Sequence, residues 1–277
     1  MGRMIFESKV LLAFDESNVA AASVSRGPRG VKIKARARVA LAPGALVPGP
    51  LNDNIARPQD VREALERLHR ELGSNGRRAE LILPDGIARL LLLDVPEGVR
   101  PEEFARYRLP QGLPFAPAEA LVDGVAAPPG RFLAAAVRRT VVRGYEAVAA
   151  AAGFTHERVD LLPLAALTPL LRRAEGGFSA LAVVLGDAAF SLAWFDAGRL
   201  AYFRNRRRDR GDDEYARLRD EIARTAVLAG APARPRVIAL GADASQLAAA
   251  LKQEGFDASA GCSEDDDACS WLAPSLA

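Results

Sequence analysis

Two stretches far apart in this chain share one plan. "KVLLAFDESNVAAASVS" (9–25) runs as a strand, a polar turn at Asp15-Glu16-Ser17-Asn18, and a second strand. "ALAVVLGDAAFSLAWFDAGRLAYFR" (180–204) runs as a strand to Gly186-Asp187, a second strand, a turn at Asp196-Ala197-Gly198, and a third strand. Apolar runs broken by a polar turn and continued with period two specify hairpins. A turn of this kind can aim several backbone N–H groups at a phosphate. Phosphate chemistry also needs a carboxylate to hold Mg²⁺. The first strand of the second hairpin ends Val183-Val184-Leu185 and offers none.

Each hairpin leads into more strands and helices. "GVKIKARARVAL" (30–41) alternates apolar and basic residues as a third, half-exposed strand, and a Pro- and Gly-rich loop follows. "RPQDVREALERLHREL" (57–72) sets Val61, Leu65, Leu68 and Leu72 on one helical face, with Pro58 near its start and Gly73 ending it. "AELILPDGIARLLLLDVPEGV" (79–99) gives two strands broken at Pro84-Asp85-Gly86. A short helix, a Pro-punctuated link and a short helix or strand come next, before "GRFLAAAVRRTVVRGYEAVAAAAG" (130–153), a strand running into an Ala-rich helix. Residues 159–177 read as helical around Pro163 and Pro169, with a Gly-rich end suited to a hinge. After the second hairpin come a helix at 211–230 and then strand, turn, helix and short strand at 236–261. Strand hairpins followed by helices, twice over, specify two α/β lobes, each a mixed sheet with helices packed on it.

Composition narrows the function. The chain has 277 residues, 49% hydrophobic and 26% charged, enough for two lobes with real cores. Its net charge of +2 gives no global field to recruit nucleic acid. No apolar run approaches the roughly 18 to 20 residues a bilayer requires, and the start of the chain turns polar too soon for a signal peptide. Both cysteines, Cys262 and Cys269, fall in the acidic stretch "CSEDDDAC", far in sequence from the two histidines, His69 and His156. That pattern fits reduced cytosolic thiols and supplies neither a metal site nor a Ser/His/Asp or Cys/His catalytic set.

Several segments, taken in order, resemble the PilM family of type IV pilus assembly, with GspL-type secretion components as relatives. They are "LILPDGIARLLLLDVP", "EEFARYRLPQGLPFAPAEALVDG", "FLAAAVRRTVVRGYEAVAAAAGFTHERVDLLPLAAL", "GDAAFSLAWFDAGRLAYFR" and "VIALGADASQLAAAL", spanning about residues 5 to 260. The resemblance implies a two-lobed actin-like (ribonuclease H-like) ATPase fold. The first lobe would occupy 1–168, with a small inserted α/β subdomain at about 78–140, and the second lobe 169–277. It further implies a cytoplasmic scaffold, peripheral on the inner membrane, that captures the N-terminal tail of a PilN-like membrane protein.

The resemblance also implies an ATP cleft, and the residues at its positions depart from the family pattern. Ala13 stands where the first carboxylate belongs and Asp15 where a glycine belongs, so that a carboxylate would repel the phosphate. Val184 takes the second acid position, ahead of the retained Gly186. At the third, Gly241 is kept and Ala242 adds a Cβ. The stretch before that strand has room for a single helix, where full-length relatives carry a lid. These departures imply a pseudo-ATPase with no catalytic residue, no cofactor and no metal. Ser17, Asn18, Gly186, Asp187 and Gly241 would form its vestigial nucleotide site. Asp187 reads as a polar turn residue stabilising its own hairpin. The alternative is an ATPase or nucleotide switch in which Asp187, as a shifted Mg²⁺ ligand, works with Ser17 and Asn18. A third reading, a GspL-type domain detached from its anchor, is discouraged by the lack of a spanning segment.

Two further features remain. "RNRRRDRG" puts five arginines between Arg204 and Arg210, a solvated hairpin end or a site for anionic headgroups or an acidic partner. "FARYRLPQGLPF" reads either as the small core of the inserted subdomain or as a peptide groove, with Arg106, Tyr107, Leu109, Leu113 and Phe115 as partner-binding residues.

Overall fold

The structure, a computed structural model, describes residues 8–27, 30–51, 53–73, 77–127, 129–172, 177–241 and 243–261. Cys262, Cys269, Ala242 and most of the expected hinge (173–176) lie outside them.

The chain opens with an antiparallel meander, β1 (Ser8–Phe14), β2 (Asn18–Gly27) and β3 (Gly30–Ala40). Helix α1 (Pro58–Leu72) starts on proline, whose missing N–H is not needed there, and ends at Gly73 in the left-handed conformation at φ 58°. Val61, Ala64, Leu65, Leu68 and Leu72 bury its one apolar face on β2 and β3. Strand β4 (Arg78–Leu83) then pairs parallel with β1. The inserted subdomain follows as β5 (Ala88–Asp94), α2 (Pro101–Arg108), β6 (Ala120–Ala127) and β7 (Arg131–Arg138), a sheet in the order β5-β7-β6. Helix α3 (Arg139–Ala151) and strand β8 (Thr155–Leu161) complete the first sheet, β3-β2-β1-β4-β8.

Helix α4 (Leu162–Arg172) leads to β9 (Ala180–Leu185), β10 (Ala189–Asp196) and β11 (Arg199–Arg207), a second meander. Helix α5 (Glu214–Leu228), β12 (Val237–Gly241), α6 (Ala244–Gln253) and β13 (Ala258–Ala260) finish a second sheet, β11-β10-β9-β12-β13. The two five-stranded sheets share one topology. Between the fourth and fifth strands, lobe I holds the inserted subdomain and α3, whereas lobe II holds only α6.

Three boundaries differ from the sequence reading. The subdomain begins after β4, because residues 79–82 pair with β1 in the main sheet. Residues 159–161 end a strand, since β8 pairs in parallel with β4 before α4 begins. The lobe boundary expected at 168/169 falls inside α4, a helix that packs against β4, β6, β8 and β9 and therefore serves both lobes. One continuous apolar core explains that last point. It joins Leu12, Ala13, Leu81 and Tyr145 of lobe I to Leu162–Leu167 of α4 and to Ala182, Val184, Ala193, Phe195 and Leu240 of lobe II. Separate clusters fill the far face of lobe II and the subdomain beneath α2. Each fully buried Leu in these cores contributes about 2 kcal/mol.

Candidate functional site

The β1–β2 turn (Asp15–Ser17) and the β9–β10 turn (Gly186–Ala188) meet across the junction between the lobes. Four of the five residues expected at a vestigial nucleotide site gather there: Ser17, Asn18, Gly186 and Asp187. The Ser17 N–H and hydroxyl both donate to Asp187 Oδ2, at 3.0 and 2.5 Å. The Asp187 N–H donates back to Asp15 Oδ1 at 3.0 Å, beside the Glu16 N–H at 3.1 Å. Asn18 Nδ2 donates to Ser17 Oγ at 3.0 Å. Asp187 Oδ1 takes Arg210 Nη2 at 2.5 Å, and Arg210 also reaches Asp243 Oδ2 at 3.1 Å. The acidic residues therefore point inward: Asp15 is 8% and Asp187 7% exposed.

The Asp187 side chain reaches beyond its own hairpin. It binds lobe I and a cation, and both of its oxygens are occupied. Chain connectivity hid this role, because Ser17 lies in a different hairpin.

Arg208 is a second element that sequence reasoning missed. Its guanidinium is buried, donates to the Gly186 carbonyl and to Asp243 Oδ2 at 2.7 Å each, and pairs with Glu214. The arginine run is thus largely consumed inside the protein. Arg204 and Arg206 face Glu221, Arg208 faces Glu214 and Asp243, and Arg210 faces Asp187 and Asp243. Among the described residues Arg207 has no acidic partner, and Arg206 stays 55% exposed beside Glu221.

Asp85 is the third. It sits at the centre of the turn after β4, yet it is 1% exposed and accepts Asn205 Nδ2 of β11 at 2.9 Å. Asn205 also donates to Ser191 Oγ at 2.9 Å, while Asp85 Oδ1 lacks a well-formed hydrogen bond. Burial pushes the Asp85 carboxyl up to about 6. Burial, reinforced by Asp187, pushes Asp15 up to about 8.

The two positions where family members carry acids lie in the apolar core. Val184 is fully buried and Ala13 is 5% exposed, both within the cluster that joins the lobes. Gly241, expected at the vestigial nucleotide site, has φ +89°, and a Cβ there would collide with the Leu185 carbonyl oxygen. Close strand packing is a sufficient reason for that glycine.

The proposed partner residues separate into three surroundings. Leu109 is fully buried with Ala105, Phe132 and Ala134, so its side chain serves the subdomain core rather than a partner. Arg106 and Tyr107 lie exposed on α2, Tyr107 at 69%. Leu113 and Phe115 line a shallow groove of about 380 Å³ with Pro50, Arg89 and Asn205. A second groove of about 380 Å³ opens on the face of the subdomain sheet away from α2. It runs between β6 and β8, the unpaired edges of two sheets, over Leu121, Val125, Val137, Val159 and Leu164. Among the described residues, no helix is long and apolar enough to cross a membrane.

No protein-family model and no curated protein matches this sequence. Solved structures do. A chain of a PilM–PilN type IV pilus biogenesis complex superposes with a TM-score of 0.75 at 19% identity, over 97% of this chain and 96% of that one. The fold is that of the actin-like ATPases. The cytoplasmic domain of EpsL, an inner-membrane component of the type II secretion system of Vibrio cholerae, matches with a TM-score of 0.56 at 12% identity, over 98% of this chain and 94% of that chain. A Bacteroides thetaiotaomicron protein with an actin-like ATPase fold and unknown function matches at 0.59 and 9% identity, over the full length of both chains. The resemblance to PilM read from the sequence thus holds at the level of the fold.

Proposed function

We propose that this chain is a non-catalytic scaffold on the cytoplasmic side of an inner-membrane pilus or secretion platform, capturing the N-terminal tail of a PilN-like membrane protein. The observation that carries the reading is the state of the cleft. The turns that would hold phosphates are bonded to each other's carboxylates, and the acid positions are apolar core. A phosphate entering there would meet two buried aspartates and turn amides, those of Asp15, Glu16, Ser17, Gly186 and Asp187, that are already bonded, and a carboxylate at Val184 would stand in the shared core. At Asp187 a Mg²⁺ ion would have to compete with Arg210 on Oδ1 and with the two Ser17 donors on Oδ2.

The partner reading draws on the likeness to the PilM–PilN complex and on the groove between β6 and β8. Two open strand edges over an apolar floor suit an extended peptide that adds backbone hydrogen bonds and buries alternate side chains. With the arginine run paired internally, association with the membrane would pass through that partner.

Calorimetric titration with Mg-ATP, with Asp187→Ala alongside, tests the first part. No heat up to millimolar ligand is expected; micromolar affinity lost in the variant would establish a nucleotide switch instead. Titration with a peptide of the partner's cytoplasmic tail tests the second. Val125→Asp should weaken capture about tenfold or more, and Tyr107→Ala by less than about twofold. The reverse pattern, in variants that melt as wild type, would move the site to Arg106, Tyr107, Leu113 and Phe115.

A further inference from the structure

The inter-lobe contact has a direction and an asymmetry. The amide of Ser17 in lobe I is held by the Asp187 carboxylate of lobe II, and the amide of Asp187 is held by the Asp15 carboxylate of lobe I. Backbone N–H groups of facing turns are the donors a phosphate oxygen would take, and a carboxylate meets the same demand for an anionic acceptor.

The two carboxylates differ in their surroundings. Asp187 has a cation, Arg210, and the Ser17 hydroxyl. Asp15 accepts two backbone amides and, among the described residues, forms no ion pair. The groups around it come from four elements. Glu16, Ser17 and Asn18 belong to its own turn, and Asp187 to the turn of lobe II. Asp85 belongs to the turn after β4, and Tyr145 to α3. Arg210 reaches Asp187 and Asp243 but makes no ion pair with Asp15. An ionised Asp15 would therefore sit buried beside two other carboxylates with no cation of its own.

We propose that Asp15 and Asp187 form a latch between the lobes, an internal carboxyl pair standing in place of a bound phosphate, tight while Asp15 keeps its proton and looser once it gives it up. The latch rests on the reading that the cleft takes no nucleotide.

The sign follows from linkage. In the closed cleft burial, with Asp187 beside it, raises Asp15 to about 8. In an opened cleft it returns toward the ordinary carboxylate value of about 4. Opening then releases a proton, so the closed population is favoured most below that value. It falls by up to about tenfold per pH unit as pH rises toward 8, and levels off above. Asp85 acts with the same sign, but its window closes at about 6. A measurement between pH 6.5 and 8 therefore isolates Asp15.

The test is amide hydrogen exchange on the full-length chain, expressed as protection relative to the intrinsic rate at each pH. Protection of Ser17 and Asp187 should fall about tenfold or more between pH 6.5 and 8 while β1 and β9 stay protected. Asp15→Asn, which keeps an acceptor and cannot ionise, should remove the pH dependence. Asp187→Ala should remove the protection at every pH. A flat wild-type profile, or the same fall in Asp15→Asn, would overturn the latch. So would a carboxyl ¹³C titration of the wild type that places Asp15 below about 5, a reading that requires no variant to fold. Mg-ATP binding with the pH response intact would overturn the nucleotide-free reading, whereas a flat response without ATP binding would sink the latch alone.

Discussion

In lobe I the amide of Asp15 bonds the carbonyl of Asn18 at 2.9 Å; in lobe II the amide of Gly186 bonds that of Ala189 at 3.0 Å. The third strands close on these turns alike, Leu41 N–H to the Ser17 carbonyl at 2.8 Å and Arg208 N–H to the Ala188 carbonyl at 2.9 Å. The backbones repeat, and the side chains do not. Where lobe I has Asp15, lobe II has Gly186, and where lobe I has Leu41, lobe II has a buried Arg208. The surroundings account for the difference. A Cβ on Gly186 would come within 3.1 Å of Leu162 Cδ2 and 3.2 Å of both Asp85 Oδ1 and the Ala189 carbonyl oxygen, so helix α4 and the turn after β4 would have to give way to it. The repeated frame thus supplies the turn geometry, and the neighbours packed around each turn differ with its residues.

Exchanging residues between the lobes is the sharpest way to break this comparison. Gly186→Asp should have the largest effect, about 4 kcal/mol or more, since it meets Leu162 and sets a second buried carboxylate against Asp85. A denaturant midpoint near that of wild type would show the turns to be interchangeable. Arg208→Leu, copying Leu41, should cost about 2 kcal/mol by stranding the Gly186 carbonyl, Glu214 and Asp243, the latter two partly open to water. Thermal melts would expose the opposite result, a neutral exchange.

Asp85→Asn sharpens the picture through pH. Because burial raises the native Asp85 carboxyl to about 6 from an unfolded value near 4, wild-type stability should decline as pH rises between those values. The variant should lose the share of that decline that belongs to Asp85, leaving the share of Asp15, and gain about 1 to 2 kcal/mol at pH 7. Parallel pH–stability curves for the two proteins would contradict it. At the low end, Arg67→Ala on the exposed face of α1 removes a 2.7 Å pair with Glu71 and should shift stability by less than about 0.5 kcal/mol.

Much of the frame was legible in the chain. Period-two runs around Asp15–Asn18 and Gly186-Asp187 gave both hairpins, and the spacing of Val61, Leu65, Leu68 and Leu72 gave α1 with its capping Gly73. The start of the subdomain, the strand at 155–161 and the place of α4 were not, because they depend on which sheet edge a segment finds. The site divides the same way. Ser17, Asn18, Gly186 and Asp187 sit in polar turns legible in the chain and were singled out by the resemblance to the PilM family, whereas Asp85, Asn205 and Arg208 carry no local signal that separates them from surface polar residues.

By itself the sequence determined two α/β lobes, two polar turns, and a chain lacking acids at Ala13 and Val184, since hydrophobic period and turn residues act over a few positions. Tertiary structure alone decided that the carboxylates of those turns bind one another's amides, that most of the arginine run pairs with acids of the same lobe, and that Asp15 is buried with no ion pair among the described residues. Burial and charge pairing are set by residues distant in sequence, and only folding brings Ser17 to Asp187.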